Sequence, residues 1–382
     1  MIAKSLFGKM PDGRKVYAYT FTDDEGQSVV VSEYGCAILE INVFGRFNPS
    51  VNKLTSPLLK GDEKRTCAPC QGGEGRLAGE GVMLYDVALG YDTLAEYIDD
   101  TRNFGATIGR YANRIAGGKF TLNGVTYWLP QNDGRNTLHG GFNGFGKRLF
   151  SSEAHDDCVV FTLNSPDLDE GFPGNFDLSV TVSFNDGRLM MKYDYVCDKD
   201  TPASITNHNY FNLNGHGKGT ILNHSVKINA ERYCRANDEL LALAPCVNVE
   251  GTPFDFRNGG KIINKILPYS NAPAYSPEIT NAGGGFDHCF EISDNKKAVA
   301  EVTGDVTGIK LAIYSDMPAL QFYTGNQIGH ARGKNGAVYN TFDGFAMECQ
   351  KFPNAINEPS FPDCVIKAGQ PESSYIEYRF TH

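Results

Sequence analysis

The segment 178-LSVTVSFNDGRLMMKYDYV-196 determines the class of fold that we expect for this chain. Apolar and polar residues alternate over 178–184, as they do in a strand with one buried face. Asp186-Gly187 is a residue pair that favours a tight two-residue turn, and a second apolar stretch follows over 189–196. The segment therefore predicts an antiparallel β-hairpin.

Short apolar runs separated by turn residues recur on both sides of this hairpin. Asn123-Gly124 lies between the runs 120–122 and 125–127 and predicts a second hairpin. Helical signal is limited to a short segment at 92–97, which could form one capped helix. Further strands are predicted at 29–31, 36–44, 225–228, 310–314 and 319–323. So many strands with so few helices predict an all-β fold of packed antiparallel sheets.

Composition and charge exclude several classes of protein. The chain has 382 residues, of which 41% are hydrophobic and 21% charged, as is typical of a globular protein with a substantial core. A formal net charge of -10 disfavours binding to nucleic acid or to anionic membranes. No stretch has the apolar length of a transmembrane helix, and the first residues have no apolar run of signal-peptide length, so we expect a cytoplasmic location. The ten cysteines lie mostly in apolar runs, as free buried thiols do.

Five polar blocks contain the candidate functional residues. They are 108-IGRYANRI-115, 136-NTLHGGF-142, 206-TNHNYFNL-213, 285-GFDHCF-290 and 347-MECQ-350. In this order the blocks resemble those of the galactose mutarotases, the aldose 1-epimerases, and the resemblance extends over roughly residues 29–380. It implies one domain spanning 1–382, a large antiparallel β-sandwich with its sugar site in an open cleft. The implied activity is interconversion of the α and β anomers of free aldohexoses such as galactose and glucose.

Opening a sugar ring requires one group that removes the proton of the C1 hydroxyl and another that protonates the ring oxygen. A carboxylate and a histidine can do both without a metal or a redox cofactor. By resemblance, Glu348 is the base and His208 the acid, so activity would fall in acid as Glu348 is protonated and in base as His208 loses its proton. Without the resemblance, Glu348 could be a solvated strand residue and His208 a core histidine.

Six further residues are expected to bind the sugar. Arg114 offers a fork of donors, Asp287 can accept from two hydroxyls, and His139 can donate from a tight bend before two glycines. Asn113, Tyr210 and Gln321 are additional candidates. Alternatively, Arg114 could form a surface salt bridge and His139 could be an ordinary loop residue. The single tryptophan, Trp128, could be a sugar platform, although a core position in its hairpin is the preferred interpretation.

The chain departs from the family pattern at two places. Residues 45–81 are inserted before Leu89-Gly90-Tyr91-Asp92, and their composition predicts a long surface loop. This loop contains Cys67 and Cys70. They could be plain loop residues, bind a metal, form a disulfide or have a redox role. Asn354 stands where the family often has aspartate, six residues after Glu348, and could change how the following loop is held.

Three other functions are compatible with these residues. A sugar-phosphate epimerase would need a cluster of cations, for which Arg110, Lys147 and Arg148 are available. A glycosidase could use Asp287 and Glu348 as its carboxylate pair. A carbohydrate-binding relative without catalysis is the third. In every case the expected partner is a small-molecule sugar, and the chain could be a monomer or a homodimer.

Overall fold

The computed structural model describes residues 1–46, 81–268 and 276–382, and strands account for most of the regular structure there. Neighbouring strands in the three large sheets are antiparallel. Three short helices also lie in the described residues: α1 (Leu94–Asp99), α2 (Ile262–Ile266) and α3 (Ser276–Asn281). The prediction of an antiparallel all-β fold is therefore confirmed.

The first large sheet has five strands that follow one another in sequence. They are β1 (Ile2–Lys9), β2 (Lys15–Thr22), β3 (Ser28–Ser32), β4 (Ile38–Arg46) and β5 (Val82–Asp86). At the end of this sheet Arg46 pairs with Val82, so the chain leaves β4 and enters β5 at neighbouring positions. The predicted insertion at 45–81 lies almost entirely outside the described residues, as do Cys67 and Cys70.

The second large sheet has nine strands. In spatial order they are β11 (Ser151–Ala154), β12 (Cys158–Ser165), β13 (Phe176–Asn185), β14 (Arg188–Cys197), β30 (Glu372–Thr381), β24 (Lys310–Ser315), β23 (Ala300–Thr303), β18 (Ser225–Ile228) and β21 (Gly260–Lys261). The hairpin predicted first is β13–β14, in which Asn185 pairs with Arg188. Asp186 and Gly187 both have positive φ, 51° and 64°, as the predicted turn requires.

The third large sheet, of six strands, supports the candidate site. Its spatial order is β17 (Tyr210–Phe211), β28 (Phe345–Gln350), β25 (Ala319–Tyr323), β22 (Asp287–Glu291), β19 (Arg232–Ala236) and β20 (Ala242–Asn248). Five two-stranded pairs complete the β-structure of the described residues. They are β6 (Ala106–Ile108) with β16 (Thr206–His208), β7 (Arg114–Ile115) with β10 (Thr137–Leu138), β8 (Lys119–Leu122) with β9 (Val125–Trp128), β15 (Thr201–Pro202) with β29 (Val365–Ile366), and β26 (Ala331–Arg332) with β27 (Val338–Tyr339).

All three large sheets contribute side chains to the principal apolar core. Alternate residues of the nine-stranded sheet, such as Val180 and Val182, pack in the same buried cluster as Met347 of β28 and Ile41 of β4. This alternation follows from the period of two along a strand. Because of the same period, Glu348 and Gln350 lie on the opposite face of β28 from Met347, and this polar face is buried as well.

Two local predictions had different outcomes. The short helix is confirmed as α1, which begins after Thr93 with a capping box that Thr93 forms with Glu96. The core position preferred for Trp128 is wrong, because this side chain is 67% exposed. In the β8–β9 hairpin Trp128 pairs with Lys119 and its ring lies below the Lys119 ammonium, while Phe120 is the buried residue. None of the helices in the described residues has the length and apolar character that crossing a membrane requires.

Candidate active site

Neighbouring strands of the six-stranded sheet bring Glu348, Gln321 and Asp287 together. Met347 and Cys349 of β28 are in the core, so the pleat directs Glu348 to the opposite face. Gln321 of β25 is paired with Glu348, and Asp287 begins β22, the next strand. Gln321 Nε2 donates to Asp287 Oδ1 at 2.6 Å, which fixes the orientation of that carboxylate.

His208 lies beside Glu348 because β16 and β17 run along β28. Tyr210 of β17 pairs with Ala346 of β28. His208 lies two residues before Tyr210, and Glu348 lies two residues after Ala346. In this antiparallel arrangement His208 Nε2 is 3.6 Å from Glu348 Oε1. Both side chains are buried, with 5% of His208 and 2% of Glu348 exposed. The Tyr210 ring is tilted against the imidazole at a centroid distance of 5.0 Å. The alternative of a solvated Glu348 is therefore excluded by its burial.

His139 is presented from a left-handed bend, as its sequence predicted. His139, Gly140 and Gly141 have φ values of 54°, 83° and 105°. The backbone N–H of Asn113 donates to His139 Nδ1 at 3.2 Å. Because Nδ1 accepts this bond, the neutral ring bears its proton on Nε2. His139 Nε2 is therefore a hydrogen-bond donor.

Arg114 lies between two carboxylates. Its Nε donates to Asp133 Oδ2 at 2.7 Å, and its Nη1 is 4.0 Å from Asp287 Oδ2. The alternative of a surface salt bridge is only partly correct, because the bond to Asp133 exists but Arg114 is just 8% exposed. Hydrogen bonds between charged groups of this kind fix the geometry of the guanidinium.

Seven of the eight predicted site residues line one cleft of about 200 Å³. These are Asn113, Arg114, His139, His208, Tyr210, Asp287 and Glu348. Gln321 contacts the site through Asp287. The sequence analysis did not single out the other lining residues, which are Thr101, Arg102, Asn103, Leu138, Tyr323 and Gln327. Arg102 is oriented by its Nε, which donates to the Ile328 carbonyl at 2.7 Å, a distant contact that no local motif indicates.

Burial favours the uncharged forms of the central pair. Loss of solvent raises the pKa of Glu348 well above its ordinary value, the charge of Asp287 raises it further, and Arg114 opposes this shift. Burial lowers the pKa of His208 to about 4. Both shifts favour a proton on Glu348 and a neutral His208 while the cleft contains no substrate. The pKa of His139 is lowered well below its ordinary value, first by burial and then by His208 and Arg114.

His139, His208 and Glu348 are also the one group in the described part of the chain whose donor atoms could converge on a metal ion. These atoms lie within 4.8 Å of one another. Two imidazoles and a carboxylate suit zinc. The acid–base chemistry available to the same three side chains requires no metal.

The cations considered for a phosphate site are engaged elsewhere. Arg110 is 2% exposed and donates to main-chain carbonyls, including that of Pro173 at 2.7 Å. Lys147 donates to the carbonyls of Tyr97, Ile98 and Asp100. Arg148 is paired with Asp169 at 2.8 Å. None of the three lines the cleft.

Comparisons with known proteins agree with this arrangement. The sequence model of the aldose 1-epimerase family matches residues 77–379. Galactose mutarotase from Mus musculus is 32% identical over 383 residues, which cover 100% of this chain and 98% of the mouse chain. Aldose 1-epimerase from Escherichia coli (strain K12) is 31% identical over 379 residues, 97% of this chain and 96% of the bacterial one.

Solved structures share the fold. An aldose epimerase homologue from C. elegans superimposes with a TM-score of 0.78 at 24% identity, over 95% of this chain and 98% of that one. Galactose 1-epimerase from Lactobacillus acidophilus superimposes with a TM-score of 0.76 at 22% identity, over 100% of this chain and 98% of that one. With the family match over most of its length and full-length relatives above 30% identity, the chain belongs to the aldose 1-epimerase family and is an isomerase.

Proposed function

We propose that this isomerase interconverts the α and β anomers of free aldohexoses, galactose and glucose first, with Glu348 and His208 as its acid–base pair. The observation that carries the proposal is the distance of 3.6 Å between His208 Nε2 and Glu348 Oε1, two buried groups in one cleft. The name of the relative from Mus musculus supports galactose as a substrate, and that of the relative from Escherichia coli supports an aldose. A small-molecule sugar is the partner that the family implies.

Ring opening uses the single proton of the pair. That proton passes from Glu348 to His208, which leaves a carboxylate facing the C1 hydroxyl and an imidazolium facing the ring oxygen. Glu348 then takes the hydroxyl proton, the C1–O5 bond breaks as the C1=O bond forms, and O5 takes the proton of His208. After rotation about C1–C2 the ring closes on the other face of C1, and the two residues exchange roles. Each group contributes about 10²–10⁴-fold to the rate.

The sugar is oriented by the charged and polar side chains around the pair. Arg114 and the Nε2–H of His139 donate to sugar oxygens, and Asp287 accepts from hydroxyls. Asn113 and Tyr210 form part of the cleft wall, and Gln321 acts by orienting Asp287. Since these groups contact parts of the sugar that do not react, they contribute to KM as well as to kcat.

The experiment is polarimetry on freshly dissolved α-glucose and α-galactose with the variants Glu348→Gln and His208→Asn. Each substitution keeps the approximate shape but removes proton transfer, so kcat should fall by about 10²–10⁴-fold with a much smaller change in KM. His330→Asn, at an exposed histidine that does not line the cleft, is the control and should behave like the parent. If Glu348→Gln kept more than about a tenth of kcat, Glu348 would not be the base.

Sugar 6-phosphates should be poor substrates. The net charge of -10 disfavours anionic ligands in general, and Arg110, Lys147 and Arg148 are engaged away from the cleft. We expect kcat/KM for glucose 6-phosphate to be well below that for glucose in the same polarimetric assay. Comparable values would favour the sugar-phosphate alternative, with Arg102 as the cation to test first.

The same net charge supports the proposal that neither nucleic acid nor membrane is a partner. A monomer or homodimer and a cytoplasmic location complete the proposal. Sedimentation of the purified chain and fractionation of cells would test these two points directly.

A further inference from the structure

We propose that Glu170, which does not line the cleft, is a positioning residue for His139. Its carboxylate binds the tip of the 139–144 loop, and this keeps the His139 imidazole directed at the sugar. The inference rests on the sugar-binding role proposed for His139 and adds the group that maintains its geometry.

The His139 ring packs edge-on against the His208 ring at a centroid distance of 5.0 Å, and the backbone N–H of His139 donates to the Asn113 carbonyl at 3.1 Å. The one hydrogen bond of its ring within the described residues is the 3.2 Å bond that Nδ1 accepts from the Asn113 N–H. The following Gly140 and Gly141 have φ values of 83° and 105°, a region that glycine enters and leaves with little cost. The Gly141 carbonyl accepts from Asn132 Nδ2 at 3.0 Å, so the part of the loop that still needs a contact, if the imidazole is to keep one orientation, is the tip at Phe142 and Asn143.

Glu170 provides that contact with both carboxylate oxygens. The backbone N–H of Phe142 donates to Glu170 Oε2 at 2.8 Å, and Asn143 Nδ2 donates to Glu170 Oε1 at 3.1 Å. A Cβ at Gly141 would lie 2.1 Å from Glu170 Oε2, so the carboxylate occupies space that only glycine leaves free. Bonds to a charged acceptor are stronger than those between neutral groups.

The segment that bears Glu170 is anchored independently of that side chain. Arg110 connects its two ends, donating to the Ser165 carbonyl at 3.2 Å and to the Pro173 carbonyl at 2.7 Å. Asp169 accepts from Ser165 Oγ at 2.7 Å and is paired with Arg148. Removing the Glu170 carboxylate therefore releases the 139–144 loop without freeing its own segment, and the variant should fold.

Nuclear magnetic resonance of ¹⁵N-histidine-labelled protein tests this inference without any sugar. His139→Gln identifies the His139 signals. The parent should show the Nε2–H tautomer, since Nδ1 accepts from Asn113, and Glu170→Ala should show a mixture of tautomers. Glu170→Gln keeps an acceptor for the Phe142 N–H and should largely restore the parent spectrum. Unchanged His139 signals in Glu170→Ala overturn the inference, whatever the kinetics show.

A double-mutant cycle then connects the contact to the sugar. Glu170→Ala should raise KM by about three- to tenfold in the parent and by less than about twofold in a His139→Ala background. Equal factors in the two backgrounds overturn the inference, because Glu170 would then act by another route. If Glu170→Ala does not fold, Asn143→Ala removes one of the two bonds and should give the same pattern with smaller factors. A normal KM for His139→Ala alone would instead refute the proposed sugar contact, and the spectra would still decide the role of Glu170.

Discussion

At the scale of single residues, burial shifts the pKa values of the two members of the central pair in opposite directions. From the sequence we expected activity to fall in acid as Glu348 is protonated and in base as His208 loses its proton. In the folded chain desolvation raises the pKa of Glu348 and lowers the pKa of His208 to about 4. The group that limits activity at each end of the pH range is therefore the reverse of the one expected from sequence.

The pH dependence of kcat/KM should be bell-shaped. Below about pH 4 His208 is protonated while Glu348 is still protonated. The pair then has two protons, and neither group can act as the base. As the pH rises through the raised pKa of Glu348, the pair loses its only proton, and the acid is lost. Polarimetry in a series of buffers, corrected for buffer catalysis, measures both limits. An activity independent of pH across this range would contradict the pair.

Asp287→Asn should move the basic limit to lower pH. The charge of Asp287 raises the pKa of Glu348, so removing it lowers that pKa. The same substitution should raise KM, because it replaces one of the two acceptor oxygens with an NH₂ donor while Gln321 already donates to one of them. Asp133→Asn is the control. It removes a carboxylate that binds Arg114, but Asp133 is not among the groups that shift the pKa of Glu348, so the basic limit should stay in place. A basic limit that stays in place in Asp287→Asn would exclude this electrostatic coupling.

At the scale of elements, one strand that is buried on both faces and one tight bend position Glu348 and His139 in the cleft. β28 is buried on both faces, which allows Met347 to pack in the core while Glu348 faces the cleft. His139 depends on a bend that passes close to the backbone at Gly109. A Cβ at Gly140 would lie only 2.2 Å from the Gly109 carbonyl oxygen.

Gly140→Ala should therefore destabilise the fold and impair sugar binding together. Its φ of 83° costs about 1–3 kcal/mol for a residue with a Cβ, and the clash with Gly109 adds to this. Gly134→Ala is the matched control, since Gly134 has a φ of 60° and nothing within 4 Å of its Cβ position. Thermal unfolding and KM should both show a larger effect for Gly140→Ala. Equal effects would mean that the backbone conformation alone matters.

At the scale of the whole molecule, we propose a single domain over 1–382 with 45–81 as an inserted surface loop. The pairing of Arg46 with Val82 supports this, because β4 and β5 are complete without the residues between them. The family match begins at residue 77 and extends to 379. Because β4 pairs directly with β5, we expect the insertion to have little influence on the cleft.

Replacing Cys67 and Cys70 with serine should accordingly leave unfolding temperature and turnover nearly unchanged. The surrounding sequence has few apolar residues to bury, and two cysteines are fewer ligands than a structural zinc site needs. Elemental analysis of the purified protein provides the second measurement. Stoichiometric zinc that disappears in the double variant would assign the pair a metal-binding role.

The sequence by itself determined what depends on short-range pattern and turn chemistry. Alternation and the pairs Asn123-Gly124 and Asp186-Gly187 correctly predicted the two hairpins, since a two-residue turn sets the register of its own strands. The five ordered blocks identified the family and its candidate residues.

Only the tertiary structure decided what depends on burial and on contacts between distant segments. It engaged Arg110 with the Pro173 carbonyl, left Trp128 exposed and added Arg102 to the cleft. It also brought His208 to Glu348 across 140 residues of sequence and removed the water around both. The pKa of a side chain follows from the solvent and charges around it, and these are set by the packing of sheets that no local stretch of sequence specifies.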